Sequence, residues 1–338
     1  MPSFTWSGAT GPFNAARFWT PRGVPGAGDT AVVGAGEVTL RLQQVGATVE
    51  LGGQEEATQP ALVLRNATLA ALTMPNALPA APYTTMDSPA EYGTLDVRGY
   101  SEVGSVSLGA FANLDKAPPP YGHGPLFAHD NLQVNLLRRA VLDAEFDVKE
   151  GSTLTVSGGA GSSLYSDSLV IEGGTVVVDA PFAAGAVTMT RGVIADGFAD
   201  AGTLELGGPV DAGVSIDIDV GKLLIDTPLA FEGTLNIRNP EGDGASGPSY
   251  VGVQDVLLRG LAASSYAFDD ETHRMTLFDG NAVLDTVQFS DATTSRSFAM
   301  GPNASVDVIQ TPDGVQFRGV LDSSPPGSTE IPLHAAMG

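Results

Sequence analysis

Two aspartates one residue apart, Asp217 and Asp219, alternate with Ile216, Ile218 and Val220. On an extended strand the apolar residues turn inward and both carboxylates turn outward, roughly 7 Å apart. Carboxylates at that separation suit an acid–base pair for glycoside cleavage or a calcium site. A solvated strand face produces the same pattern without any chemistry, because charged side chains belong in water. A second outward ladder, Asp143, Glu145 and Asp147, carries the same two readings. Asn239, Glu241 and Asp243, followed by Gly244, imitate the first half of a calcium loop. There oxygens stand at alternate positions and a glycine makes the sharp turn. Tyr250 stands where the closing bidentate Glu belongs, so the motif is half made. Asn239, Glu241, Asp243, Asp217 and Asp219 are therefore the candidate metal ligands, with calcium the ion that oxygen-only donors suit.

Other chemistry is sparse. His123, His129, His273 and His334 share no ligand spacing, and His273 beside Asp269 and Asp270 reads as a hairpin turn. No nucleophile elbow, zinc-helix motif, phosphate loop or dinucleotide fingerprint occurs. With 0 cysteines, thiol catalysis, disulfides and cysteine metal sites are excluded. Acid–base work on a polysaccharide needs clustered acids and a basic partner. Lys116, Lys149 and Lys222 are the lysines, and Arg138, Arg139, Arg191 and Arg238 do not visibly converge with an acidic group. The expectation is a chain that is not an enzyme, with no catalytic residue to nominate. Asn66-Ala67-Thr68, expected inside a strand, and Asn303-Ala304-Ser305 match the glycosylation sequon, which recurs by chance.

The elements that would position these residues announce themselves by repetition. The phrase Gly-x-apolar-x-apolar opens at Gly36, Gly93, Gly104, Gly202, Gly221 and Gly233, and with one inserted residue at Gly151. Apolar residues two apart mean a strand with one buried face, and a preceding glycine supplies a turn closed to other residues. Repetition on this scale predicts stacked rungs. The spacing of Gly151, Gly174, Gly202 and Gly221 fits a parallel β-helix with three short strands per circuit. Leu154, Val156, Val176, Val178, Leu204, Leu206, Leu235 and Ile237 are the expected inward stack.

Composition agrees. The 338 residues include 42 glycines and 23 prolines but only 16% charged residues, which suits short strands and tight turns. The formal net charge of −23 removes the cationic surface that nucleic acids require and disfavours anionic membranes. No apolar run is long enough to span a bilayer, so membrane insertion is not expected. Met1-Pro2-Ser3-Phe4 shows no basic or apolar leader, so an N-terminal export signal is not visible.

Four regions follow. Residues 1–35 hold both tryptophans, Trp6 and Trp19, and read as an N-terminal aromatic cap. Residues 36–249 read as a β-solenoid, with strands expected at 38–42, 48–51 and 61–69. Proline-rich excursions interrupt it near 74–92 and 113–131. Residues 250–321 carry hairpin signals, such as Pro312-Asp313-Gly314, and read as an antiparallel closing region. Residues 322–338 read as a tail becoming flexible.

The opening segment runs Trp6-Ser7-Gly8, then Phe13-Asn14-Ala15-Ala16-Arg17-Phe18-Trp19, then Gly23-Val24-Pro25-Gly26-Ala27-Gly28-Asp29-Thr30. It resembles the N-terminal element of repetitive β-helical bacterial surface proteins, the autotransporter-passenger and hemagglutinin-like adhesins. It departs at Phe13, where tryptophan is usual, and at Phe18, where asparagine is usual. The resemblance implies a right-handed parallel β-helix located outside the cell or on its surface. The function expected is structural or adhesive, in a surface, biofilm matrix or filament, with self-association into a homo-oligomer or filament. A glycan or other cell-surface ligand is a possible partner. The alternative is a β-helical carbohydrate-active enzyme or a phage spike-like fibre protein.

Overall fold

The computed structural model describes residues 2–52, 59–74, 91–108, 111–113, 125–127, 130–183, 185–190, 201–237, 254–291, 293, 298, 306–319 and 331–335. Among these, helical structure is confined to short 3-10 turns such as Ala16–Phe18 and Pro228–Ala230. The rest of the regular structure is strand, and no helix among the described residues is long and apolar enough to cross a membrane.

From Thr30 the chain alternates between two large sheets. Thr30–Val33, Gln44–Leu51, Thr68–Thr73, Tyr100–Leu108 and Val141–Lys149 lie in the first. Glu37–Arg41, Ala61–Arg65, Glu91–Arg98, Asp130–Leu136, Thr153–Gly158, Thr175–Asp179, Gly202–Leu206 and Gly221–Ile225 lie in the second. Each pairs in parallel with the strand of its own sheet one circuit on. The architecture is all-β with long parallel sheets, compatible with a β-solenoid.

Parallel register turns the alternating sequence into columns. In the second sheet Val38, Leu62, Leu95, Val134, Val156, Val178, Leu206, Ile225 and Leu258 stand in line. In the first sheet Val49, Leu72, Val106, Phe146, Leu169, Val187, Ile216, Leu235 and Phe289 do the same. All are buried, as are the eight residues expected inward from the sequence. Each buried Val or Leu contributes about 1.5–3 kcal/mol. A one-residue slip would turn a whole column outward, so the alternation fixes the register.

One strand expectation is corrected. The stretch expected as one strand over 61–69 is two, Ala61–Arg65 and Thr68–Thr73, in different sheets. The corner between them is Asn66, exposed in the left-handed region at φ 49° and accepting the Tyr100 amide at 3.2 Å. The three short strands per circuit expected from the spacing of Gly151, Gly174 and Gly202 are present there, as Thr153–Gly158, Ser163–Tyr165 and Ser168–Glu172 and then Thr175–Asp179, Phe182–Ala183 and Gly185–Thr190. There Ser163–Tyr165 and Ser168–Glu172 divide the face that Val141–Lys149 spans alone. Earlier strands bend at irregularities between Val45 and Thr48 and between Val103 and Val106 instead.

The recurring glycines divide into two kinds, and Gly36 and Gly151 take the expected left-handed turn, at φ 79° and 77°. Gly174, Gly202 and Gly221 fall in one column, and at Gly174 and Gly202 it is space that restricts them. A Cβ at Gly174 would lie 2.7 Å from Val148 Cγ1, and one at Gly202 would lie 2.8 Å from Ile171 Cγ2. At Gly174 and Gly202 glycine lets the start of a second-sheet strand press against the aliphatic columns of the first.

Toward the C-terminus the pairing reverses. Gln254–Arg259 is parallel to Gly221–Ile225 on one side and antiparallel to Gly314–Gly319 on the other. Ser265–Asp269, Arg274–Asp279 and Ala282–Phe289 form an antiparallel meander, joined in parallel to Thr234–Ile237. Residues 331–335 lie in the stretch read from sequence as a tail passing from ordered to flexible, and they pair with the closing strands. Ile331 and Pro332 pair with Gln310 and Ile309, His334 pairs with Ser265, and Leu333 is buried. Most of the first excursion, residues 75–90, lies outside the described residues. At the second, Phe111–Asn113 pairs antiparallel with Pro125–Phe127.

Aromatic rings gather at both ends of this aliphatic stack. Trp6 and Trp19 are buried with ring centroids 4.8 Å apart, and Phe13 meets Trp19 at 5.1 Å. Their indole N–H groups donate to the Ala9 and Phe13 carbonyls, both at 2.7 Å. At the far end Phe289 packs against Phe298 at 5.2 Å and Phe317 at 5.5 Å. The Tyr266 hydroxyl there donates to the Phe298 carbonyl.

Candidate functional site

Asp217 lies in the strand Val214–Ile218, half-exposed, between Thr188 and Asn236 of the neighbouring rungs. The Asn236 side-chain amide donates to its carboxylate, and Ser290 Oγ donates to Asn236 Oδ1 at 2.9 Å. Asp219 falls just past the strand end. Its amide and that of Val220 both reach the Met189 carbonyl as the chain turns toward Gly221. The two aspartates therefore do not share one extended strand, since the corner begins between them. Asn239, Glu241 and Asp243 lie outside the described residues. Among the described residues no three His, Asp or Glu side chains gather as a metal site.

The other acidic ladder is as the alternation predicts. Asp143, Glu145 and Asp147 point outward from Val141–Lys149. Lys149 Nζ reaches Asp147 at 3.2 Å and Glu172 of the next rung at 3.0 Å. Burial would lower the Lys149 ammonium, but these hydrogen bonds outweigh it and raise its pKa. Tyr100 donates its hydroxyl to Asp143 at 3.3 Å, and that negative charge pushes the phenol up. His273 is a turn residue at φ 52°, with Nδ1 3.0 Å from the Thr293 carbonyl.

The opposite sheet presents different chemistry. Tyr92, Asn131, Thr153 and Thr175 stand in one outward column, and Thr94, Gln133, Thr155 and Val177 in the next. None of these eight residues is charged, although the third outward column, Asp96, Asn135, Ser157 and Asp179, carries two carboxylates, and Glu102, Asp143, Glu145, Asp147 and Glu172 face outward from the first sheet over the same rungs. A shallow groove of about 300 Å³ crosses the two uncharged columns. Among the described residues its lining is Gln59, Tyr92, Asn131, Leu132, Gln133, Thr153 and Thr155.

One edge of the groove is held by a row of amides. Gln133 Nε2 donates to Asn135 Oδ1 at 3.2 Å, and Asn135 Nδ2 donates to Asp96 Oδ1 at 2.9 Å. The Asp96 carboxylate thus fixes which way both amides face. The described lining contains no carboxylate, imidazole, ammonium or guanidinium, so it offers hydrogen bonds and an aromatic surface without an acid–base pair. The alternation in the sequence does show that these positions face outward. It does not show that Tyr92 lies beside Asn131, because the long excursion between them hides the register.

Compared with family models, with curated proteins and with solved structures, the chain matches none of them.

Proposed function

We propose that this chain is an extracellular structural or adhesive protein of a bacterial surface, matrix or filament, built as a right-handed parallel β-helix. On this reading Trp6, Phe13 and Trp19 cap the first rung, and the antiparallel strands with their phenylalanine cluster close the last. The observation that carries it is the uninterrupted parallel stacking of short strands around one aliphatic core. Such a stack contacts itself only through neighbouring rungs, so it makes a stiff spacer with long lateral faces.

The sheet edges bear on how copies would associate. Among the described residues the outermost strands are short, and two contain proline: Thr10–Pro12, Trp19–Thr20, Ile331–Pro332 and His334–Ala335. Short strands and prolines blunt an edge against pairing with another copy. Self-association is then lateral, face against face, with calcium or salt relieving repulsion between acidic surfaces. Electron microscopy of the purified protein with and without calcium tests this. Bundled fibres or sheets in calcium are expected; isolated particles in both conditions would overturn the assembling role.

A further inference from the structure

We propose that the neutral groove over Tyr92, Asn131, Gln133, Thr153 and Thr155 binds an extended, uncharged glycan chain lying across the strands. This rests on the adhesive reading above and names its ligand.

Charge selects the class of ligand. In a protein of net charge −23, the described lining of this groove carries no charged group. A polyanion such as nucleic acid or an acidic polysaccharide would be repelled by the surface around it. A polycation would be drawn to the acidic opposite sheet instead. A neutral polar polymer meets neither obstacle.

The side chains then select among neutral polymers. The Gln133 amide, holding Asn135 with one N–H, keeps a second N–H and its carbonyl oxygen side by side, the pattern that adjacent sugar hydroxyls satisfy. Thr153 and Thr155 add hydroxyls that both donate and accept. The Tyr92 ring supplies a flat apolar surface for the C–H face of a pyranose. A peptide would lack its usual means of docking, because this is the face of a sheet whose backbone groups are already paired on both sides.

Spacing sets the direction. The lining comes from four successive rungs, Gln59 leading into Ala61–Arg65, and their separation of about 4.8 Å spreads it over roughly 14 Å across the strands. The repeat is close to the length of one sugar ring, so a linear chain meets a new polar or aromatic side chain ring after ring. The row from Gln133 through Asn135 to Asp96 holds the groove amide in place before a ligand arrives, which lowers the ordering cost of binding.

The test is calorimetric titration of the intact chain with neutral β-1,4-linked hexasaccharides of glucose, mannose and N-acetylglucosamine, with oligogalacturonate as the charged comparison. Tyr92→Ala, Gln133→Ala and Gln133→Glu are titrated alongside Thr188→Ala on the other sheet, with thermal melts to check folding. The expected result is binding of at least one neutral hexasaccharide and none of oligogalacturonate. Each groove variant should weaken it roughly tenfold or more, and Thr188→Ala should leave it unchanged. Failure of all three neutral sugars to bind, or unchanged affinity in the folded groove variants, overturns the proposal. Adhesion of protein-coated beads to bacterial cells separates the two readings. Beads that adhere equally with Gln133→Glu overturn the groove and leave adhesion standing. Sugar binding without any bead adhesion supports the groove and removes the adhesive role.

Discussion

Asn236 lies one rung beyond Asp217 in the same sheet and donates its side-chain amide to that carboxylate, while accepting a hydrogen bond from Ser290 at 2.9 Å. An outward position that looks like half of a catalytic or metal pair is thus part of a polar ladder binding rung to rung. Asp217→Ala should cost about 1 kcal/mol. The Asp217→Ala, Asn236→Ala double variant should lose less than the sum of the singles. Urea unfolding of the four proteins checks this; strict additivity would mean that the ladder contributes nothing.

The glycine column makes a sharper prediction. Gly202→Ala places a methyl 2.8 Å from Ile171 Cγ2, at a strand start packed against the core. The expected loss is about 1–3 kcal/mol from overpacking. Thr203→Ser, one residue on and outward-facing, should change stability by less than about 0.5 kcal/mol. Equal effects from the two would contradict the close-approach account.

At the N-terminus, Trp19 is 2% exposed and touches both Trp6 and Phe13. Trp19→Ala should cost about 3–5 kcal/mol. Native tryptophan fluorescence should be blue-shifted and move red on unfolding. Emission already red-shifted in the native protein would contradict the packing at this end.

Asp285, in the meander strand Ala282–Phe289, supplies a pH test. Burial raises its carboxyl above the ordinary range, against the lowering effect of the Thr286 amide. A carboxyl whose pKa is raised by folding binds more protons in the folded state, so its contribution falls as pH rises through that window. Asp285→Asn should therefore melt above the parent at pH 7, with the gap closing as pH drops toward roughly 4, where the unfolded carboxyl also protonates. A gap that widens in acid would reverse the sign and refute the assignment.

Much of this fold was legible because a buried strand face writes itself into sequence with a period of two. The columns through Val156 and Val178 and through Ile216 and Leu235 follow from that period alone. The corner at Asn66 was not legible, since Ala61 to Leu69 reads as one apolar run until the chain is seen to change sheets. The phenylalanines at 268, 289, 298 and 317 are far apart in sequence and meet only through the antiparallel return. The groove failed for a related reason. Tyr92 and Asn131 are neighbours across a rung but stand on either side of a long excursion, so nothing local signals their contact.

Sedimentation velocity tests the central claim, self-association of a rigid acidic stack, most directly. Subunits of charge −23 repel one another over a Debye length of about 8 Å at physiological ionic strength. Screening or calcium between the faces should let lateral contacts form. The account predicts species larger than the 34.6 kDa chain in millimolar calcium or at high salt, shifting toward monomer in EDTA at low salt. A single 34.6 kDa species under every one of these conditions would contradict it.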